Sequence, residues 1–154
     1  MKPTRKRAVA TPGSGVGSKR YRLYREAYAH AKRAIEAGFY LEAIAVTESL
    51  LSDRLESRAT FLLQDDFSFK TLEKLIRTLA EKEVDPILID IVTTEVVNWK
   101  DLRNRALHEM AKLAHGDSET WHERVASLPE VATKGLAVVR KVDSRVKVLR
   151  QAAS

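Results

Sequence analysis

The chain has 154 residues, a formal net charge of +6 and no cysteine. This length suits one domain with a hydrophobic core, and the lack of cysteine excludes disulfides, thiolate metal sites and a cysteine nucleophile. No segment approaches the roughly 20 consecutive apolar residues of a transmembrane helix, and no apolar run follows the basic N-terminus. We therefore expect a cytoplasmic protein with no signal peptide and no membrane partner.

The positive charge is concentrated near the N-terminus. Residues 1–37 contain ten Lys and Arg and two acidic residues, a charge of +8, which leaves seventeen basic and nineteen acidic residues, or −2, in the remainder. Such an asymmetry indicates a polyanionic partner such as nucleic acid. A solubilising tail is the alternative that charge alone leaves open.

Residues 1–19 are rich in Lys, Arg, Pro, Gly and Ser and have no periodic apolar pattern. This composition predicts a disordered basic arm. The glycine-rich segment before Lys19 is not a phosphate-binding loop, because such a loop needs Gly before its Lys and Ser or Thr after it, whereas Ser18 and Arg20 stand there. Residues 20–154 form the predicted folded domain.

The rest of the chain has helical spacing of its apolar residues. Gly38 and Gly116 are helix-ending residues, Asp85 followed by Pro86 is a strong helix start, and Thr120 opens a capping box. The predicted helices are 21–37, 40–63, 69–82, 85–115, a short one after 120, and 130–150. The fold class is therefore all-α, a bundle of five to six helices with a disordered basic N-terminal arm.

The helix that starts at Asp85 carries the most informative segment. Lys100, Asn104 and His108 lie on one polar stripe of this helix, beside an apolar stripe that runs from Val92 to Leu113 and is predicted to face the core. Arg103 lies between the two stripes. The helix thus presents a permanent cation, an amide and an imidazole that changes its charge near neutral pH.

The sequence Arg103-Asn104-x-x-x-His108 resembles the signature of the HEPN superfamily, an Arg followed after four to six residues by His, often with a polar residue directly after the Arg. Since the chain has two asparagines, chance produces this form with an expectation of about 0.005. Arg25 and His30 fit the looser spacing but lie in the first helix, and Glu26 follows Arg25. We therefore select Arg103 and His108.

The resemblance implies a metal-independent endoribonuclease that acts as a homodimer with the motif helices facing each other. It implies attack of a ribose 2′-OH on its own 3′-phosphate. His108 would act as general base or acid, Arg103 would stabilise the developing charge, and Asn104 would orient the phosphate or the imidazole. No cofactor and no metal are implied.

The predicted RNA contacts lie on the same helix and on the arm. Lys100, Arg105 and Lys112 would hold flanking phosphates, and Lys19 and Arg20 would add further contacts. A toxin or defence component silenced by an antitoxin or another regulatory protein fits the same chemistry. The alternative is a non-catalytic HEPN-like module that binds RNA or a protein partner.

Three tyrosines on one side of the first predicted helix, Tyr21, Tyr24 and Tyr28, form a smaller signal. They are interleaved with three basic residues, Arg20, Arg22 and Arg25. Aromatic and basic residues in alternation suit stacking on unpaired bases. Half-buried core tyrosines with hydrated hydroxyls are the interpretation that we favour.

Overall fold

The computed structural model describes residues 5–153, and within that range the chain is helical with no strand. The helices are α1 (Val16–Glu36), α2 (Tyr40–Leu63), α3 (Leu72–Lys82), α4 (Pro86–Ile91), a π-helical turn (Val92–Val96), α5 (Val97–His108), α6 (Trp121–Ala126) and α7 (Leu128–Ala153). The segments from α4 to α5 follow one another without a break, so residues 5–153 form a bundle of six helices. The predicted all-α class is confirmed.

Two helices begin at the N-cap residues that the sequence predicts, Asp85 and Thr120. The Asp85 side chain accepts a hydrogen bond of 2.8 Å from the Leu88 N–H, with Pro86 in the first turn. The Thr120 hydroxyl accepts one of 3.2 Å from the Glu123 N–H. No helix within residues 5–153 is both long and apolar enough to cross a membrane.

The motif helix is shorter than predicted, because α5 ends at His108. The Arg124 guanidinium donates to the carbonyls of Glu109 at 2.9 Å and of Lys112 at 2.6 Å. These bonds hold the chain after α5 in a non-helical turn. Leu113, predicted to face the core, is consequently 78% exposed.

The N-terminal arm is also shorter than predicted. Helix α1 begins at Val16, after Gly15 with a positive φ of 73°, so Lys19 and Arg20 belong to a helix. Residues 5–15 are coil apart from a short turn, and residues 1–4 lie outside the described residues.

Arg7 nevertheless attaches the arm to the bundle. Its side chain is 7% exposed and bonds to Asp53 and to Glu56, the latter at 2.8 Å. Its backbone N–H donates to the Ser68 hydroxyl at 2.8 Å. The composition of the arm does not predict this attachment of Arg7, because the acids that bind Arg7 lie 46 and 49 residues away in the sequence.

Helices α2 and α7 form the centre of the bundle and make the most extensive helix contact in the described chain. With 24 and 26 residues, they are about 36 and 39 Å long. Their contact buries apolar side chains completely, among them Leu51, Leu55, Val139 and Val142. The other helices pack around this pair.

Trp99 fixes α5 against α7. Its ring is 1% exposed, and its Nε1–H donates to the Val131 carbonyl of α7 at 2.9 Å. A Cβ atom at Gly135 would lie 2.7 Å from the Trp99 ring, closer than carbon atoms approach without contact strain. Gly135 therefore allows the indole to lie directly on the α7 backbone.

Gly135→Ala should lower the free energy of unfolding by about 1–3 kcal/mol, because the added methyl group overpacks the indole. Urea denaturation followed by circular dichroism measures the change. Gly17→Ala is the matched control, since its Cβ would meet its nearest neighbour at 4.0 Å and alanine favours a helix. If Gly135→Ala and Gly17→Ala both have the same free energy of unfolding as the wild type, the close packing of Trp99 on Gly135 is contradicted.

Candidate active site

The polar face of α5 is held against α2 and α3 by charge. Arg103 is 5% exposed and reaches toward two carboxylates. Its Nη1 donates to Glu48 Oε1 of α2 at 2.9 Å, and its Nη2 lies 3.6 Å from Glu73 Oε1 of α3. Arg103 is thus a buried link between three helices.

The Arg103 guanidinium keeps unused hydrogen-bonding capacity. Its Nε and Nη2 are inaccessible to solvent and have no hydrogen-bond partner. The separation of 3.6 Å between Nη2 and Glu73 is an ion pair and too long for a hydrogen bond. Two charged donors of the buried guanidinium are therefore without an acceptor, and the Glu73 carboxylate lies close to one of them.

Three residues of α5 help to keep the Glu73 carboxylate ionised, although its side chain is 47% exposed. The pKa of Glu73 is lowered, first by its own backbone N–H at the start of α3, while partial burial opposes the shift. The remaining causes are the positive charge of Arg103, a hydrogen bond with Asn104 and the charge of Lys100. Lys100, Arg103 and Asn104 thus surround one anionic group.

His108 occupies the last turn of α5 and is exposed. Among residues 5–153, the His108 ring has no hydrogen-bond or ion-pair partner. On an ideal helix it lies about 140° around the axis from Arg103 and on the same stripe as Asn104. The imidazole is therefore open to a ligand at the end of the helix whose Arg and Asn are fixed.

The other predicted phosphate contacts on this side are exposed to different degrees. Lys100 has a side chain 21% exposed and lies 3.5 Å from Asp101. Arg105 points away toward α6 and binds Glu119 at 2.6 Å. Lys112 is exposed in the turn after α5. Of these, Lys100 alone shares the Glu73 cluster with Arg103.

Lys19 and Arg20, predicted to bind RNA from the arm, lie on α1 instead. Lys19 is exposed, whereas Arg20 is partly buried and lies 3.7 Å from Asp53. Asp53 and Glu48 are five residues apart on α2, so they point about 140° apart around its axis. The structure therefore separates these two basic residues from Arg103.

Sequence reasoning missed Glu48 and Glu73. Each is a single acid on another helix, and no spacing relates either one to Arg103, so no local signal could have identified them. Among residues 5–153, no group of three or more His, Asp or Glu is arranged to hold a metal ion.

No family model matches the chain, and comparison with curated proteins and with solved structures gives no match either.

Arg103→Leu should lower the free energy of unfolding by about 2–4 kcal/mol, because it leaves the carboxylates of Glu48 and Glu73 without their cation. Arg105→Leu is the matched control on the same helix. Its ion pair with Glu119 is exposed on both sides, so its loss should cost less than about 1 kcal/mol. Urea denaturation measures both.

Adding Glu48→Gln to Arg103→Leu should restore part of the lost stability, because the double variant no longer leaves the Glu48 charge unpaired. Equal, small losses in the Arg103 and Arg105 variants would mean that Arg103 does not link the three helices.

Proposed function

We propose that this protein is a metal-independent endoribonuclease of the HEPN type. The observation that carries the proposal is the exposed His108 in the last turn of α5, one turn after Asn104 on the helix whose Arg103 is held by Glu48. An accessible imidazole on the same helix as a fixed cation and an amide supplies the groups needed for acid–base cleavage of a phosphodiester.

The proposed reaction needs one base and one acid. A neutral imidazole takes the proton of the ribose 2′-OH, the O2′–P bond forms and the P–O5′ bond breaks. The leaving 5′ oxygen takes a proton from a protonated imidazole. The products are a 2′,3′-cyclic phosphate and a 5′-OH, and histidine can perform both steps near neutral pH.

One motif histidine per chain accounts for one of these two proton transfers. We therefore include a homodimer in the proposal, with the α5 helices of two protomers facing each other across a two-fold axis. Each His108 would then serve as base or acid for a phosphate bound between the protomers. Sedimentation at micromolar concentration tests this part of the proposal.

The unused donors of Arg103 support its proposed role. Nε and Nη2 lack hydrogen-bond partners, and a phosphate oxygen within hydrogen-bonding distance would give them the charge-assisted bonds that Glu73, at 3.6 Å, does not. Glu73 is half exposed and could turn into solvent when a phosphate binds. Asn104, which bonds to Glu73, would be released to the phosphate at the same time.

We extend the proposal to a toxin or defence role, in which an antitoxin or other regulatory protein keeps the enzyme inactive. The exposed position of His108 supports this extension, because a partner could cover it without disturbing the core. Cytoplasmic RNA would be the substrate.

His108→Ala should slow RNA cleavage by at least about a hundredfold, because it removes a proton-transfer group, while RNA affinity changes little. Gel analysis of total RNA incubated with the purified protein in EDTA measures cleavage, and filter binding measures affinity. His115→Ala is the matched control, since His115 is an exposed histidine beyond the end of α5.

Products should end in a 2′,3′-cyclic phosphate, and RNA with a 2′-deoxy sugar at the cleaved position should resist. Cleavage that persists in His108→Ala, or that stops in EDTA, defeats the proposal.

The second candidate is a non-catalytic helical module that binds RNA or a protein partner. The observation that favours it is the ion pairing of Arg103, whose charge is already offset by Glu48 and Glu73, as expected of a structural arginine. A protein that binds RNA but never cuts it, with or without His108, would support this second candidate.

Glu73→Gln should tighten RNA binding about threefold to tenfold, because it removes the anion that competes with phosphate for Lys100 and Arg103. Glu81→Gln is the matched control, since Glu81 is an exposed acid on the same helix. Equal RNA affinities of the two variants would mean that RNA does not contact this cluster.

A further inference from the structure

A second surface with unused chemistry lies on the other side of the bundle. The arm, α1, α2 and α7 enclose a cleft of about 570 Å³. Ligand-binding clefts in proteins commonly measure about 300–1,000 Å³, so this cleft has room for one nucleotide and is too small for a duplex. It opens near Tyr21, the first of the three tyrosines noted in the sequence.

The cleft is lined by cations from all four of its elements. They are Arg7, Arg20, Arg54, Arg58, Lys147 and Arg150. Asp143 also lines it, and three further acids pair with these cations from behind, Asp53, Glu56 and Glu83. These carboxylates offset part of the positive charge that lines the cleft.

Three of these arginines are built into the wall. The side chains of Arg7, Arg54 and Arg58 are 7%, 5% and 10% exposed, and ion pairs with acids fix them in the wall of the cleft. Arg20 and Lys147 remain accessible, with side chains 22% and 58% exposed, beside Asp53 and Asp143 respectively. Arg20 and Lys147 are therefore the cations that an anion entering the cleft can reach.

Arg20 is crowded by the other cations. Burial lowers its pKa, and the charge of Arg7 lowers it further, whereas Asp53 acts in the opposite direction. Arg20 lies 3.7 Å from Asp53 and donates to the Ala8 carbonyl at 2.7 Å. A phosphate in the cleft would add a second anion to the one carboxylate, Asp53, that lies beside Arg20.

Aromatic rings lie beside the cations. Tyr21 is 67% exposed and Phe61 is 50% exposed, and both line the cleft. Tyr24 lies deeper, with Arg54 4.3 Å from its ring centre. Its hydroxyl donates to Asp53 and accepts from Arg54 at 2.7 Å, so it belongs to the wall. The Arg58 guanidinium lies 5.1 Å from the centre of the Phe61 ring and covers one of its faces. Tyr21 and the other face of Phe61 are left as stacking surfaces for a planar base.

We propose that this cleft binds a nucleotide. Arg20 and Lys147 would hold the phosphate, and the base would stack on Tyr21 or Phe61. The recognised chemistry, a phosphate joined to a planar base, is shared by a free nucleotide and by the terminal nucleotide of single-stranded RNA. Because the cleft faces a different side of α2 from Arg103, the site functions whether or not His108 cleaves RNA.

Titration calorimetry of the full chain tests the proposal with three probes. They are inorganic phosphate, AMP and a 5′-phosphorylated hexaadenylate with 2′-O-methyl sugars, which resists cleavage by a 2′-OH. AMP or the oligonucleotide should bind at least about tenfold more tightly than inorganic phosphate, since one base stack supplies that gain. Comparable affinities for AMP and the oligonucleotide indicate a free nucleotide, and much tighter binding of the oligonucleotide indicates an RNA end.

Two matched pairs of variants locate the site. Tyr21→Ala should weaken binding of the preferred probe about tenfold, whereas Leu23→Ala, at an equally exposed residue of α1 (66%), should leave it unchanged. Lys147→Gln should weaken binding of the same probe about threefold to tenfold, because it removes a cation that holds the phosphate. Lys134→Gln should leave binding unchanged, although Lys134 is also on α7, also 58% exposed and also paired with an acid four residues away.

Three results would overturn the proposal. The first is that neither AMP nor the oligonucleotide binds. The second is that inorganic phosphate binds as tightly as AMP. The third is that a variant and its matched control lose the same amount of affinity for the preferred probe. His108→Ala should bind the same probe with unchanged affinity, so a failure of the cleavage proposal and a failure of the cleft proposal remain distinguishable.

Discussion

The contact between Trp99 and the backbone of α7 at Gly135 is the constraint on which the rest of the structure depends. A bulkier residue than glycine would move the indole, and with it α5, away from α7. Because Arg103 lies one turn after Trp99 on the same helix, such a movement would also change its distances to Glu48 and Glu73. The packing of one indole therefore sets the geometry of the polar face that carries the candidate site.

Charged groups inside the bundle determine how the helices fit together. Arg58 binds Glu83 through two hydrogen bonds of 2.6 and 2.9 Å, with the Glu83 side chain fully buried. Burial by itself would raise the pKa of Glu83, but the hydrogen bonds and the charge of Arg58, together with the backbone N–H groups of Asp85 and Val84, lower it below its usual value. Glu83 is therefore ionised at neutral pH, and its contribution to stability is lost only as the pH falls through that lowered pKa. Such pairs favour one arrangement of helices, because any other arrangement leaves a buried charge without a partner.

The distribution of charge explains why two separate surfaces are candidates for anion binding. Part of the strong positive charge of residues 1–37 is used inside the fold, where Arg7 pairs with Asp53 and Glu56. Of the other basic residues of that segment that the structure describes, Arg20 lines the cleft of α1 and α7. On the other side of α2, Lys100 and Arg103 lie beside the acids Glu48 and Glu73. One surface thus offers accessible cations in a cleft, and the other carries a charge-paired cluster on the helix that ends with the exposed His108.

The sequence by itself determined the helical class, the N-caps at Asp85 and Thr120 and the position of the Arg-Asn-His segment on one helix. Each of these depends on contacts between residues a few positions apart, which spacing reveals. Only the tertiary structure decided that Arg103 is buried against Glu48, 55 residues away, and that Arg124 ends α5 at His108. It also decided that Arg7 attaches the arm to α2. These partners come together only when separate helices pack, and no local pattern specifies which acid will meet which base.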